Sequence, residues 1–494
     1  KALKVTDQKP FFSNEHNRDL EGELKDVFND AQDIIERYQT TIALCKRDKV
    51  RKPWTTLCPC FKEHVSESYQ LGNEIKKINQ RLNEMEQHKK MMDLHNTTPK
   101  VKSEVPIGGE HDNSREITHL IGTAQPPTGR ADDKEKVKEL LFDGFNESSA
   151  LGKDGVSIVS IVGQGGIGKT TLAKMVFNEV KEQFGNRRWW VCVSEKPNRM
   201  GLMKKICKES VRELKGTTSL CDLCTRLRSK LSKRKFLLIL DDLCELDGWW
   251  GDLAAILLGG AKESKILITN RKVEVSQAIG AKIHKLPQMS FDESWSLFLC
   301  VAKKQEHELE SHHLKRIGEK IVAKCDGLPL VVQMVGSLMG TKMKTKDDWE
   351  TDEKSEIWEW KMPSSTSSSS EICGSVLPGL MLSYDDLAHY LKICFVYCCI
   401  YPKDHEIKMD RLVMQWMAHG LIDQKKAIDV EVTANQWISD LINRFMIEET
   451  EYKDLKLHDI LHDLALYIGG KEYSHASATE HTHHLSLLGV DNAE

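Results

Sequence analysis

The sequence predicts a multidomain chain that combines α and α/β domains, and three observations carry that reading. A glycine-rich loop, Gly163 to Thr171 (G-Q-G-G-I-G-K-T-T), stands between an alternating β-branched stretch, Val156 to Val162, and an apolar run at helical spacing, Leu172 to Phe177. Apolar strands follow it at Trp189–Val193, Phe236–Asp242 and Lys265–Arg271, the last two ending in charged residues. Beyond Pro287 this alternation stops and helical periodicity takes over. Strand, glycine loop and helix in that order form the setting of a phosphate-binding loop, and the later strands complete an α/β domain around it.

Composition sets the bounds. A chain of 494 residues holds about three domains with ample cores. Its 70 Lys+Arg against 74 Asp+Glu leave a formal charge of −4, so electrostatics give no ground for general nucleic-acid binding, and no nucleic acid is expected as a partner. No apolar run reaches the ~18 residues of a membrane span, so no transmembrane segment is expected. The chain opens at Lys1 with neither methionine nor signal peptide and reads as a fragment. Its 14 cysteines are scattered, several inside apolar helical stretches (Cys207, Cys325, Cys394, Cys398, Cys399), as in a reduced cytosolic protein. Cys58-Pro-Cys60 and Cys221-x-x-Cys224 lack partner pairs at zinc spacing, and His481, His483 and His484 earn no metal site either.

In chain order, residues 1–95 read as a helical segment. Leu20, Leu24, Val27, Ala31, Ile34, Ile35, Tyr38 and Ile42 share one helical stripe, and Leu71, Ile75, Ile78, Leu82 and Met85 form a second. Two such helices suit an antiparallel hairpin or part of a bundle. The basic stretch Lys46 to Lys52, with Trp54 and Phe61 beyond it, reads as a solvated loop between them. Residues 96–118 are a polar linker, and 119–286 form the nucleotide-binding domain, opened by an amphipathic helix over Lys134–Phe142. Residues 287–372 read as a helical domain whose run Ser364 to Ser370 is a flexible loop, and 373–470 as a further helical block.

The glycine loop dictates its chemistry. Gly163, Gly165, Gly166 and Gly168 let backbone N–H groups converge on phosphate oxygens, at a helix N-terminus that favours anions. Lys169 reaches the β- and γ-phosphates, the Thr170 hydroxyl is a ligand for Mg²⁺, and Thr171 completes the motif. Asp241 and Asp242 close a fully apolar strand, the form of a Walker B element. Asp241 then holds Mg²⁺ through water and Asp242 orients an attacking water as the catalytic carboxylate. Arg271, at the end of the next strand, is placed to sense a γ-phosphate.

In order and spacing over residues 130–487, the chain resembles plant intracellular immune receptors of the coiled-coil, nucleotide-binding, leucine-rich-repeat class. The likeness runs through the phosphate loop, F-G-N-R-R-W-W-V-C-V-S-E (Phe184–Glu195), L-L-I-L-D-D-L (Leu237–Leu243), Ile268–Arg271, G-L-P-L (Gly327–Leu330), C-F-V-Y-C-C-I-Y-P (Cys394–Pro402) and L-H-D (Leu457–Asp459) in the family's M-H-D position. Gln32–Glu36 resembles its E-D-V-I-D signature. The resemblance implies a winged-helix domain over 373–470, the start of a leucine-rich-repeat region over 471–494, and only part of the coiled-coil domain. It further implies ADP/ATP with Mg²⁺ as cofactors, Pro329 beside the adenine, and His458 on the β-phosphate of ADP in a closed resting state. Exchange for ATP then opens the domains and drives self-oligomerisation in defence signalling, with at most slow ATPase activity. Location is expected to be cytoplasmic, with membrane association as an option of the active state; the pathogen effector or host guardee is not specified. Three departures stand out: Thr128-Gly129-Arg130 for V-G-R, which puts the first adenine contact in question, Thr269-Asn270-Arg271 for T-T-R, and Leu457 for Met, a size-conserving swap. Two other functions remain open at this stage. One is a turnover P-loop ATPase; the other is a nucleotide-gated winged-helix transcription regulator, for which Asp410–Asp423 offers only Arg411 as a cation.

Overall fold

A computed structural model describes residues 27–28, 30–31, 34–35, 37, 40, 73–85, 129–142, 156–193, 199–211, 220–246, 250–341, 345–359, 376–422, 429–450, 452–475 and 482–488. The expectations for Lys46–Lys52 with Trp54 and Phe61, Cys58 and Cys60, the linker 96–118, Thr128, Ser364–Ser370 and His481 lie outside these residues. The chain divides into two compact units, residues 1–119 and 120–494.

In the first unit the described positions of 27–40 are helical, and residues 73–85 form a second helix. Arg37 pairs with Glu74 at 2.8 Å and Arg81 with Asp30 at 2.5 Å. One partner's number rises as the other's falls, so the two helices run antiparallel, as the stripes suggested. The buried side is narrower than those stripes: Val27, Ile34 and Met85 are buried, whereas Ile35 and Ile75 are exposed.

The second unit begins with the helix Ala131–Phe142 and a five-stranded parallel sheet: β1 (Ser157–Val162), β2 (Arg188–Cys192), β3 (Leu237–Asp241), β4 (Lys265–Asn270) and β5 (Lys282–Lys285). Their order is β2-β3-β4-β1-β5. Every residue of β3 and β4 is buried, which is why Leu237–Leu240 and Ile266–Ile268 read as apolar runs: a parallel sheet is covered by helices on both faces. Sequence periodicity missed β5, whose Lys282-Ile283-His284-Lys285 has a single apolar residue and lies at the sheet edge. Because β4 lies between β1 and β3, its final residues enter the crevice between the glycine loop and the paired carboxylates.

Beyond the sheet, Ser290 and Glu293 form a capping box that starts the helix Phe291–Ala302. This helix crosses Pro329–Thr341 so closely that a Cβ at Gly340 would lie 2.9 Å from the Ala302 carbonyl oxygen. The helix Lys315–Lys324 joins them, with Gly318 against the rings of Trp295 and Trp349. The block beyond 373 is not wholly helical. Helices Val376–Asp385, His389–Tyr397, Met409–Ala418 and Val430–Asn443 lead into a hairpin of β6 (Glu448–Glu449) and β7 (Leu455–Lys456), followed by the helix Asp459–Gly469. A hairpin of two-residue strands, three of whose four residues are charged, carries too little alternation to be seen in sequence. The block docks on the preceding helical region, where Ser337 Oγ donates to the Asn443 carbonyl at 2.7 Å. A parallel pair, β8 (Tyr473–His475) and β9 (His484–Ser486), ends the described chain.

Candidate functional site

The glycine loop connects β1 to the helix Lys169–Glu179, and its backbone needs glycine where it turns. Gly166 has φ +72° and Gly168, the residue before the helix, φ +96°. The loop is covered from two directions. A Cβ at Gly165 would lie 2.5 Å from Ile460 Cδ1, and one at Gly166 would lie 3.1 Å from Leu330 Cβ. Leu330 also donates its N–H to the Gly166 carbonyl at 3.3 Å. Pro329 stands against the end of the loop, its Cγ 4.0 Å from a Cβ placed at Gly168. Gly163 anchors the start, donating its N–H to the Asn270 carbonyl at 3.3 Å. Thr171 is exposed and joins none of these contacts.

Lys169 is 7% exposed, and its ammonium donates to the Gln164 carbonyl at 3.0 Å, inside the loop. Burial, then the Arg271 charge, pulls its pKa down to about 8. Thr170 and Asp241, the two residues expected at Mg²⁺, lie together, with Thr170 Oγ1 donating to Asp241 Oδ1 at 3.0 Å. Thr269 Oγ1 donates to the same oxygen at 2.5 Å and accepts from the Asp242 N–H at 2.8 Å. Thr269 therefore holds the Asp241 carboxylate and the Asp242 backbone, a role that its place in a motif did not disclose. Burial raises the pKa of Asp241, opposed by those two hydroxyls. The glycine cradle, the inward lysine and a hydroxyl beside a carboxylate fit a nucleoside phosphate with a hard, oxygen-seeking cation.

Asp242 adopts φ +56° and faces away from Asp241, toward Arg271. Arg271 Nε is 3.4 Å from Asp242 Oδ1, and Nη2 donates to Asp459 Oδ2 of the L-H-D motif. Burial works against the Arg271 charge, but Asp242 and Asp459 hold its pKa raised. Asp404 completes a group in which oxygens of Asp242, Asp404 and Asp459 lie within 4.8 Å of one another. Lys456 pairs with Asp404 at 2.7 Å, so the three carboxylates face two cations. Asp404 and Lys456 escaped sequence reasoning; they lie far from the glycine loop in sequence and carry no motif.

His458 caps the helix Asp459–Gly469, its Nδ1 accepting the Ile460 N–H at 3.2 Å. Burial lowers its pKa, with Arg271 and Lys169 adding to the shift and Glu448 opposing it. The neutral ring with an accepting Nδ1 carries its proton on Nε2. Leu457, which fills the Met position, is buried. Arg130 is also buried: its guanidinium donates to the Pro287 carbonyl (2.7 Å), the Ile167 carbonyl (3.1 Å) and Asp133 (3.1 Å). It ties the start of the domain to the glycine loop, although sequence marked it only within a departure from V-G-R.

Residues 131–308 match the NB-ARC domain family, and residues 400–465 match the disease resistance protein winged-helix domain family. The chain is 30% identical over 490 residues to disease resistance protein RGA2 of Solanum bulbocastanum, covering 96% of this chain and 47% of that protein. It is 27% identical over 496 residues to disease resistance RPP13-like protein 4 of Arabidopsis thaliana, covering 97% and 55%. The chain thus spans about half the length of these relatives. Among solved structures, a signal transduction ATPase with numerous domains from Pyrococcus horikoshii aligns at 15% identity and a TM-score of 0.40, over 64% of this chain and 41% of that one. No helix among the described residues is long and apolar enough to cross a membrane. The glycine loop thus lies inside the region that matches the NB-ARC domain family and the L-H-D motif inside the region that matches the disease resistance winged-helix family, and the chain is similar over most of its length to plant disease resistance proteins.

Proposed function

We propose that this chain is the ADP/ATP-dependent switch of a plant disease resistance protein, closed when ADP is bound and open when ATP is bound. The observation that carries this reading is the Arg271–Asp459 pair, which joins the end of β4 to the winged-helix region directly over the glycine loop. Arg271 is the residue placed to meet a γ-phosphate, and here it is engaged by Asp242 and Asp459 instead. A third phosphate would compete with Asp459 for that guanidinium, so ATP and the closed arrangement oppose each other. His458 Nε2 supplies a donor for the β-phosphate of ADP, which adds to closure only while the domains are together. Lys169 and the loop N–H groups bind the phosphates in either state, Thr170 and Asp241 hold Mg²⁺, and Asp242 serves slow hydrolysis at most. Opening frees the surfaces of both domains for self-oligomerisation, in a cytoplasmic protein that signals defence. The test is the nucleotide that co-purifies with the chain. ADP, released more slowly by wild type than by His458→Ala, supports the switch. Steady-state turnover faster than nucleotide release would make the protein a turnover ATPase, and absence of any nucleotide would overturn both.

A further inference from the structure

Arg271 leaves the sheet at the end of β4, and only Arg271 and Lys272 separate that strand from the helix Val273–Ile279. Lys272 makes no side-chain cap on this helix, so the turn that carries Arg271 lacks the usual local support. Support comes from the residue before it. Asn270 Nδ2 donates to Ser276 Oγ at 2.7 Å, across the turn, and to Ser160 Oγ on β1 at 3.2 Å. The two serine hydroxyls bond each other at 2.7 Å, closing a triangle that spans two strands and the helix. All three residues are fully buried, among apolar neighbours in sequence such as Ile161, Ile268 and Ile279. Breaking any of these bonds would leave a further buried polar group without a partner in an apolar layer, so the triangle resists displacement. Asn270 Oδ1 even goes without a hydrogen-bond partner among the described residues, as the amide is turned to serve both hydroxyls. The Asn270 carbonyl meanwhile accepts from Gly163 N–H, the first residue of the glycine loop.

We propose that Asn270 is a positioning residue: through Ser160 and Ser276 it fixes the turn that aims Arg271 at the phosphate pocket and at Asp459. The inference rests on the switch reading, in which Arg271 holds the closed state. Asn270 touches neither Asp242 nor Asp459 in the described contacts, and the carbonyl that holds Gly163 is backbone and survives Asn270→Ala, so the side chain acts on nucleotide release through Arg271.

The experiment is a double-mutant cycle on the full chain, read as the release rate of a fluorescent ADP analogue with thermal stability measured alongside. Arg271→Ala should accelerate release about tenfold and Asn270→Ala about fivefold, while the double variant should match Arg271→Ala alone. Ser276→Ala, which removes two sides of the triangle and keeps the Asn270–Ser160 bond between β4 and β1, should give about a twofold acceleration that also vanishes on Arg271→Ala. Ser276→Thr should restore the wild-type rate. A purely structural Asn270 would lower stability and multiply its effect on that of Arg271→Ala, which overturns the proposal. Should Asn270→Ala fail to fold, the Ser276→Ala cycle decides the matter by the same criterion. If Arg271→Ala accelerates release and neither Asn270→Ala nor Ser276→Ala does, this inference falls and the switch reading stands. If Arg271→Ala leaves release unchanged, or wild type binds no ADP, both fall.

Discussion

The two sides of the candidate site are built by different physics. On the sheet side, hydrogen bonds join Thr170, in the helix after the glycine loop, and Thr269, on β4, to the Asp241 carboxylate at the end of β3. On the winged-helix side, Asp459 pairs with Arg271, which also pairs with Asp242; Asp404, paired with Lys456, lies beside them, and Ile460 seats on Gly165. The first set is held by hydrogen bonds within one domain. The second exists only while two domains stay together, and removing either domain would strand charges in a partly buried place. Under the proposed switch this is a division of labour in which the sheet side supplies affinity and the interface supplies dependence on state.

The largest effect should come from the sheet side. Lys169→Ala should lower nucleotide affinity by about a hundredfold or more, measured by equilibrium titration, because it removes a buried cation aimed at the phosphates. The nucleotide-free fold should not suffer. Burial depresses the Lys169 pKa from 10.5 to about 8, so between those values the unfolded chain binds more protons than the folded one. Wild-type stability without nucleotide should therefore rise as pH climbs from about 8 toward 10.5, a rise that Lys169→Ala should lack. A variant that keeps full affinity would remove the phosphate-loop assignment.

Next come the interface residues. Asp459→Val deletes the carboxylate on Arg271, and His458→Ala deletes the Nε2 donor. Hydrogen bonds to charged groups are worth roughly 1.5–3 kcal/mol, so each change should speed ADP release by about ten- to a hundredfold. Stopped-flow release rates, compared with melting of the nucleotide-free proteins, would show whether state and not folding is affected. Unchanged rates would reduce the interface to ordinary packing.

A smaller effect should separate the paired carboxylates. Asp241→Ala should weaken Mg²⁺-dependent binding by about tenfold, as it removes a metal-directed oxygen already organised by two hydroxyls. Asp242→Ala should leave binding nearly intact, slow any hydrolysis and loosen Arg271. Equal losses of Mg²⁺-dependent affinity would erase the distinction.

The smallest expected change is steric. In Gly165→Ala the new methyl group meets Ile460 Cδ1 at 2.5 Å, so closure is resisted and ADP release should quicken about two- to fivefold. Adding Ile460→Ala should restore slow release if contact with the winged helix is what matters. A Gly165→Ala protein with reduced affinity that Ile460→Ala cannot rescue would place the damage in the loop itself.

Much of this protein was legible in its sequence. Buried parallel strands declare themselves as apolar runs, so β1, β3 and β4 were placed within a residue or two, and the glycine loop named its own ligand chemistry. The edge strand β5 and the hairpin β6–β7 were not, because short, polar elements carry too little periodicity to be distinguished from loops. Arg271, His458 and Asp459 could be picked out as residues, but their partners could not. A strand or loop signal is local, encoded in a few consecutive residues. The pairing of Arg271 with Asp459, of Asp404 with Lys456, and of Asn270 with both Ser160 and Ser276 depends on how separate elements pack, and no spacing along the chain specifies it. The sequence by itself determined where phosphates can be held; only the tertiary structure decided which charges close over them.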